Sequence, residues 1–255
     1  MGSLSYAERL HTIVSETSLL VTALKGADLS TPVPSCPGWT VNQLLRHLGY
    51  AHRWVAEMVE RRVPETDRSF SKAHSVSGYS GESAAELGPW LLEGAQLLSD
   101  RLSGVDEDEP IAAMAGMAGP RFWGRRMAHE SVVHRWDACQ ALGLPFEVDE
   151  RVTYDTLWEW MTTLLPFIFK IRPEASALLG SGLLRFEATN LDNWLVDLRG
   201  TTPTASQHKE TEADASLYGP GFDLVLALYQ RRSTDGLKTT GDLALLEKFL
   251  SAVRF

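Results

Sequence analysis

Apolar positions recur at three- and four-residue steps through residues 4 to 25, where Leu10, Ile13, Val14, Thr17, Leu20, Val21 and Leu24 share one face ahead of Gly26. That spacing predicts a first helix. The segment Thr31-Pro32-Val33-Pro34-Ser35-Cys36-Pro37-Gly38-Trp39 then forbids helix, since each proline lacks an N–H and clashes with the preceding turn. Thr40-Val41-Asn42-Gln43 reads as a capping box, with Trp39 and Leu44 placed to staple the entry of a second helix. On that helix Leu44, Leu48, Ala51 and Val55 form the inward stripe. At about 100° per residue, His47 lies roughly 60° from the stripe and His52 roughly 140° from His47, which predicts His47 facing inward or at the edge of the core and His52 near the surface.

A Ser-, Thr- and Gly-rich link from Pro64 to Gly81 precedes a third helix expected from Glu82 to Leu102. Between Gly104 and Gly119 a loop carries Asp106-Glu107-Asp108-Glu109, which lacks EF-hand spacing and reads as solvated. The pattern then predicts helices from Pro120 to Leu142, stopped by Gly143 and Pro145, and from Glu150 to Phe169. Near Pro173 the period changes from helical to alternating. Leu183 to Thr189 and Trp194 to Leu198, separated by Asn190-Leu191-Asp192-Asn193, read as a β-hairpin, and Glu212 to Tyr218 as a third strand. Gly219-Pro220-Gly221 has neither the spacing nor the lysine of a phosphate loop and reads as a turn into a helix from Phe222 to Arg231. Asp242 to Val253 closes the chain as an amphipathic helix. Helices followed by strands argue for an α+β chain of two units: a helical bundle over residues 1–170 and an α+β domain over 171–255.

Composition narrows the partners. The 24 basic and 33 acidic residues give a net charge of −9 with no basic run, which counts against nucleic acid and anionic membrane. Two cysteines, Cys36 and Cys139, are too few for a disulfide framework or a cysteine-rich zinc site. No apolar stretch reaches the roughly 18 residues of a membrane span, and the first 24 residues are interrupted by charge, so a soluble, cytoplasmic protein is expected.

Candidate chemistry lies on the fourth helix. Trp123, Met127, Glu130, His134, Ala138 and Ala141 follow one another along one row, and only Glu130 and His134 are polar. Four residues apart, they can reach one atom. A carboxylate in an apolar stripe needs a partner, and a divalent cation is one such partner. A hydrogen-bonded surface pair and a satisfied core histidine are the ordinary alternatives, and for His47 alone a histidine bonded to a neighbour is equally open. His129 and Glu130 start like a zincin motif, but His134 comes one residue too late for both histidines to share an ion.

Ser35-Cys36-Pro37-Gly38-Trp39-Thr40-Val41, Leu45-Arg46-His47-Leu48 and His129-Glu130-Ser131-Val132-Val133-His134-Arg135-Trp136-Asp137 together resemble the mycothiol-dependent maleylpyruvate isomerase family, as do Ala213 to Pro220 and Thr240 to Leu246 in the tail. The resemblance implies a DinB-like four-helix bundle followed by a small sterol-carrier-like α/β domain. It also implies metal ligands His47, Glu130 and His134, and an actinobacterial setting in which mycothiol is the cosubstrate. No catalytic residue beyond the ligands is expected. Cys36 and Trp39 read as packing residues. Asp137 is open between orienting a ligand and pairing with Arg135 or Arg46, and Arg126 and Arg46 between anchoring an anionic substrate and lying at the surface. Two histidines and a carboxylate leave a coordination position open on Zn²⁺, the arrangement of a catalytic site. The expected activity is therefore thiol activation at zinc or another divalent metal, for S-transfer to, or isomerisation of, a small electrophile. A zinc hydrolase and a non-enzymatic small-ligand-binding protein are the rivals, and the same ligand set also suits Fe(II).

Overall fold

A computed structural model describes residues 2–64, 81–113, 117, 119–207 and 211–253. Most of the Pro64-to-Gly81 link lies outside these residues. The chain divides into two units, Leu4–Glu147 and Val148–Phe255, the latter taking in the N-terminal residues up to Ser3.

The first unit is a four-helix bundle of α1 (Tyr6–Ala23), α2 (Val41–Glu60), α3 (Ala84–Ser103) and α4 (Gly119–Leu142). Three of the helices open with a full capping box: Ser5 with Glu8, Thr40 with Gln43, and Ser83 with Glu86. Each box gives two otherwise orphaned backbone donors a partner, which fixes where the helix begins. At the far end of α4, Gly143 takes the left-handed conformation (φ 65°) that a side chain would resist. Helices α1 and α2 each pack on α3 and α4. Two apolar clusters fill the bundle: one built around Ile13, Val55, Leu98 and Met127, the other around Leu20, Leu44, Leu48, Leu91 and Ala138. On α4 the residues between Met127 and Ala138 include Glu130, Ser131, His134 and Asp137. On α2, Leu48 and Val55 bracket His52 in the same way.

The second unit begins earlier than the expected boundary at 170. Its first helix runs as α5 (Glu150–Glu159), a π-helical turn (Trp160–Leu164) and α6 (Leu165–Ile171). The wide turn stands just ahead of Pro166, whose missing N–H interrupts the ordinary ladder of hydrogen bonds. Leu157, Trp160, Leu164 and Ile168 share one core with Phe186, Leu217 and Phe249, so this helix belongs to the sheet and not to the bundle. After the short α7 (Pro173–Ser176) come β1 (Leu183–Ala188), β2 (Trp194–Asp197), β3 (Thr204–Ser206), β4 (Ala215–Gly219), α8 (Gly221–Leu228), β5 (Lys238–Gly241) and α9 (Leu243–Ala252). The sheet order is β3-β2-β1-β4-β5, with β1 and β4 parallel and the other pairs antiparallel. The expected hairpin is β1–β2, with Leu184 opposite Val196. Among the described residues, no helix is long and apolar enough to cross a membrane.

Candidate metal centre

Helix α2 and helix α4 bring His47, Glu130 and His134 together. One ligand atom from each lies within 4.8 Å of the other two. Glu130 Oε2 stands 3.0 Å from His134 Nε2, and the His47 and His134 rings meet edge to face with centroids 5.1 Å apart. Trp39, at the end of the proline-rich turn, also lies against His47, with ring centroids 4.9 Å apart.

The remaining nitrogen of His134 is also engaged. Nδ1 is 2.9 Å from Asp137 Oδ2, and Asp137 is fully buried. Its other oxygen accepts from the Ser35 hydroxyl at 2.5 Å, and Oδ2 also accepts from the Cys36 thiol at 3.6 Å. Asp137 therefore ties the proline-rich turn to the ring of His134. A carboxylate on Nδ1 keeps the ring proton there and turns the lone pair of Nε2 toward Glu130 and His47, as histidine ligands of cations require. Donor atoms this close, one bearing a charge and one oriented from behind, fit a divalent cation bonded at about 2.0–2.2 Å.

Electrostatics favour a charged carboxylate. Burial alone would raise the pKa of Glu130, but Arg126, His134 and His47 outweigh it and hold the carboxyl well below its usual range. Arg126 is 1% exposed and pairs with Glu130 Oε1 at 3.2 Å. For His134, burial opposes the charged form, yet the hydrogen bonds to Asp137 and Glu130 push its pKa up to about 9. A cation held at Nε2 would take the place of that proton and of its partnership with Glu130.

Residues 10–139, half of the chain, match the mycothiol maleylpyruvate isomerase N-terminal domain. The chain belongs to the mycothiol-dependent maleylpyruvate isomerase family. Two solved structures share the fold of nearly the whole chain. A mycothiol-dependent maleylpyruvate isomerase carrying an H52A substitution has a TM-score of 0.64 at 14% identity, over 94% of this chain and 96% of that one. A further structure of a mycothiol-dependent maleylpyruvate isomerase has a TM-score of 0.57 at 15% identity, over the same shares. A sterol carrier protein domain 2 of Helicoverpa armigera matches with a TM-score of 0.33 at 13% identity, over 38% of this chain and 85% of that one. No curated protein matches.

Within this member of the family, several side chains stand where spacing alone did not put them. His52, expected near the surface, is fully buried with Nε2 3.1 Å from the Ser131 hydroxyl. It is four residues after Leu48 and three before Val55, inside an apolar arc that is wide because α2 packs on two helices. Burial, with Arg53 second, lowers its pKa to about 3, so it is neutral. Arg126 is no surface charge. Its partner Glu130, one turn on, was the available signal. Arg46 is engaged by Glu82 and lies 4.5 Å over the ring of Trp90. Arg135 pairs with Glu16 at 2.6 Å, which leaves Asp137 to His134.

Proposed function

We propose that His47, Glu130 and His134 hold a divalent cation, zinc by the chemistry of the set, beside which the thiol of mycothiol is ionised and directed at a small electrophile. The observation that carries this is the convergence of the three donor atoms within 4.8 Å, with His134 held from behind by Asp137. Membership of the family supplies the thiol. Bound there, the cation favours thiolate over thiol, and the thiolate is the nucleophile at neutral pH.

The chain's own residues prepare that chemistry. Asp137 retains the proton on His134 Nδ1 so that Nε2 donates a lone pair. Arg126 keeps Glu130 ionised while leaving Oε2 free to face the histidines. Three protein donors leave room for an exogenous sulfur. A thiolate that adds to a conjugated double bond and later departs isomerises the bond, whereas one that stays performs S-transfer. The ligand set serves both outcomes equally, and the family favours isomerisation.

A hydrolase would need a general base poised beside the cation. His129 is fully buried and Asp137 is already engaged with His134, Ser35 and Cys36, so neither residue suits that role.

The test is metal content followed by spectroscopy. Protein purified without chelator should carry a divalent ion in stoichiometric amount. Its cobalt-loaded form should develop a thiolate-to-metal charge-transfer band on addition of mycothiol, and His47→Ala should show neither. Full mycothiol-dependent turnover of maleylpyruvate by ion-free protein would falsify the proposal.

A further inference from the structure

His134 has a cluster of donors at each edge of its ring. At Nε2 stand His47 and Glu130. At Nδ1 stand Cys36 and Asp137, and there too one ligand atom from each residue lies within 4.8 Å of the other two. The spacing on the second side is close to that of a bound ion. Cys36 Sγ and Asp137 Oδ2 are 3.6 Å apart, against about 3.5 Å for sulfur and oxygen ligands at the tetrahedral angle on zinc. Asp137 Oδ2 and His134 Nδ1 are 2.9 Å apart. Cys36 is half-buried, at the outer edge of this cluster, while Asp137 and His134 are buried.

We infer that Cys36, Asp137 and His134 Nδ1 form a second cation site, selective for thiophilic ions, whose occupancy excludes a cation from the His47 side. The selectivity follows from the donors, because the thiolate favours soft ions and the first set has no sulfur. The exclusion follows from proton bookkeeping. A neutral imidazole carries one proton. A cation at Nε2 leaves that proton on Nδ1, where Asp137 accepts it. A cation at Nδ1 requires the proton on Nε2, where Glu130 Oε2 accepts it at 3.0 Å. The ring proton changes nitrogen through solvent, the Cys36 thiol releases its proton to solvent, and the incoming ion forms bonds to Sγ, Oδ2 and Nδ1. Displacement of the first cation as an inhibitory event rests on the function proposed above, while the second site itself stands on its own residues.

The experiment is titration of zinc-loaded protein with Cd²⁺, following the thiolate-to-cadmium absorption and the zinc released to a chromophoric chelator. The wild type should gain the band and release one zinc per cadmium bound. Cys36→Ser should show no band and hold zinc against the same Cd²⁺ concentration. Cys139→Ser should behave as wild type, since Cys139 is buried away from both donor clusters. Metal-free His47→Ala should still give the band, which separates this site from the first. Absence of the band in the wild type, or equal zinc release from Cys36→Ser, overturns the inference.

Discussion

The interiors of the two units differ in what they bury. Under the sheet the core is aromatic and aliphatic, with Trp160, Phe186, Leu217 and Phe249 in one continuous cluster. The bundle splits its apolar residues into two clusters, with His52, Glu130, Ser131, His134 and Asp137 between them along α2 and α4. Buried polar groups stabilise a fold less than apolar residues of the same volume, even when fully paired. A bundle that needed only stability would fill that layer with leucine. On the function proposed above, the first kind of interior serves stability and the second serves chemistry, so substitutions in each should fail in different ways.

The sharpest contrast comes from His47→Ala. It removes a half-buried side chain at the edge of the layer, so the bundle should keep its cooperative unfolding. Zinc affinity should fall by more than the roughly 10–100-fold that loss of an outer partner costs. Calorimetric titration with zinc checks the first part and urea unfolding the second. Retention of wild-type affinity would detach His47 from the site.

Phe249→Ala should invert that outcome. Phe249 is fully buried against Trp160 and Phe186, with ring centroids 6.1 and 5.7 Å away. Its truncation should cost the sheet unit about 3–5 kcal/mol. Zinc affinity, measured below the unfolding transition, should be unchanged. A loss of affinity comparable to that of His47→Ala would show that the two interiors do not divide the work as argued.

Asp137→Asn tests the layer from behind. The amide keeps the shape but can present N–H where the carboxylate accepted from His134, Ser35 and Cys36. Zinc affinity should drop about 10–100-fold, and the ligand-field spectrum of the cobalt form should shift as the ring loses its fixed orientation. Asp137→Glu should restore part of the affinity, whereas a residue that served packing alone would leave the spectrum unmoved.

What was legible in the sequence follows the same division. Spacing along one helix put Glu130 and His134 on a shared row, and the capping box at Thr40 set where α2 begins, so His47 could be placed on a known face. The partners of α4 were not legible. That Asp137 would meet Ser35 and Cys36 depends on how a turn a hundred residues earlier folds back, and hydropathy carries no such distance. The same limit put the helix from Glu150 in the wrong unit, since an apolar face does not name the surface that receives it. Strands β3 and β5 were missed because Thr204-Ala205-Ser206 and Lys238-Thr239-Thr240-Gly241 are short edges without alternating burial. His52 was misplaced because one stripe was assumed where α2 packs against two helices.

His52 also supplies the smallest of the expected effects, one that probes the layer without touching a ligand. Its pKa is lowered from 6.5 to about 3 by burial and by Arg53, so the folded protein keeps the ring neutral while the unfolded chain protonates it as the pH falls below 6.5. Protons then bind the unfolded state preferentially, and stability is lost on acidification through that window. The slope from this one group is about 1.4 kcal/mol per pH unit between 6.5 and 3. His52→Gln has an amide in place of the ring and nothing to titrate. Urea unfolding of both proteins at pH 6 and pH 5 should show the wild type losing about 1 kcal/mol more than the variant, a little under the full slope because the upper pH is close to the unfolded pKa. Parallel pH profiles would mean that the ring is protonated in the folded bundle, and a charge of that kind between Leu48 and Val55 would require the polar layer to be open to water.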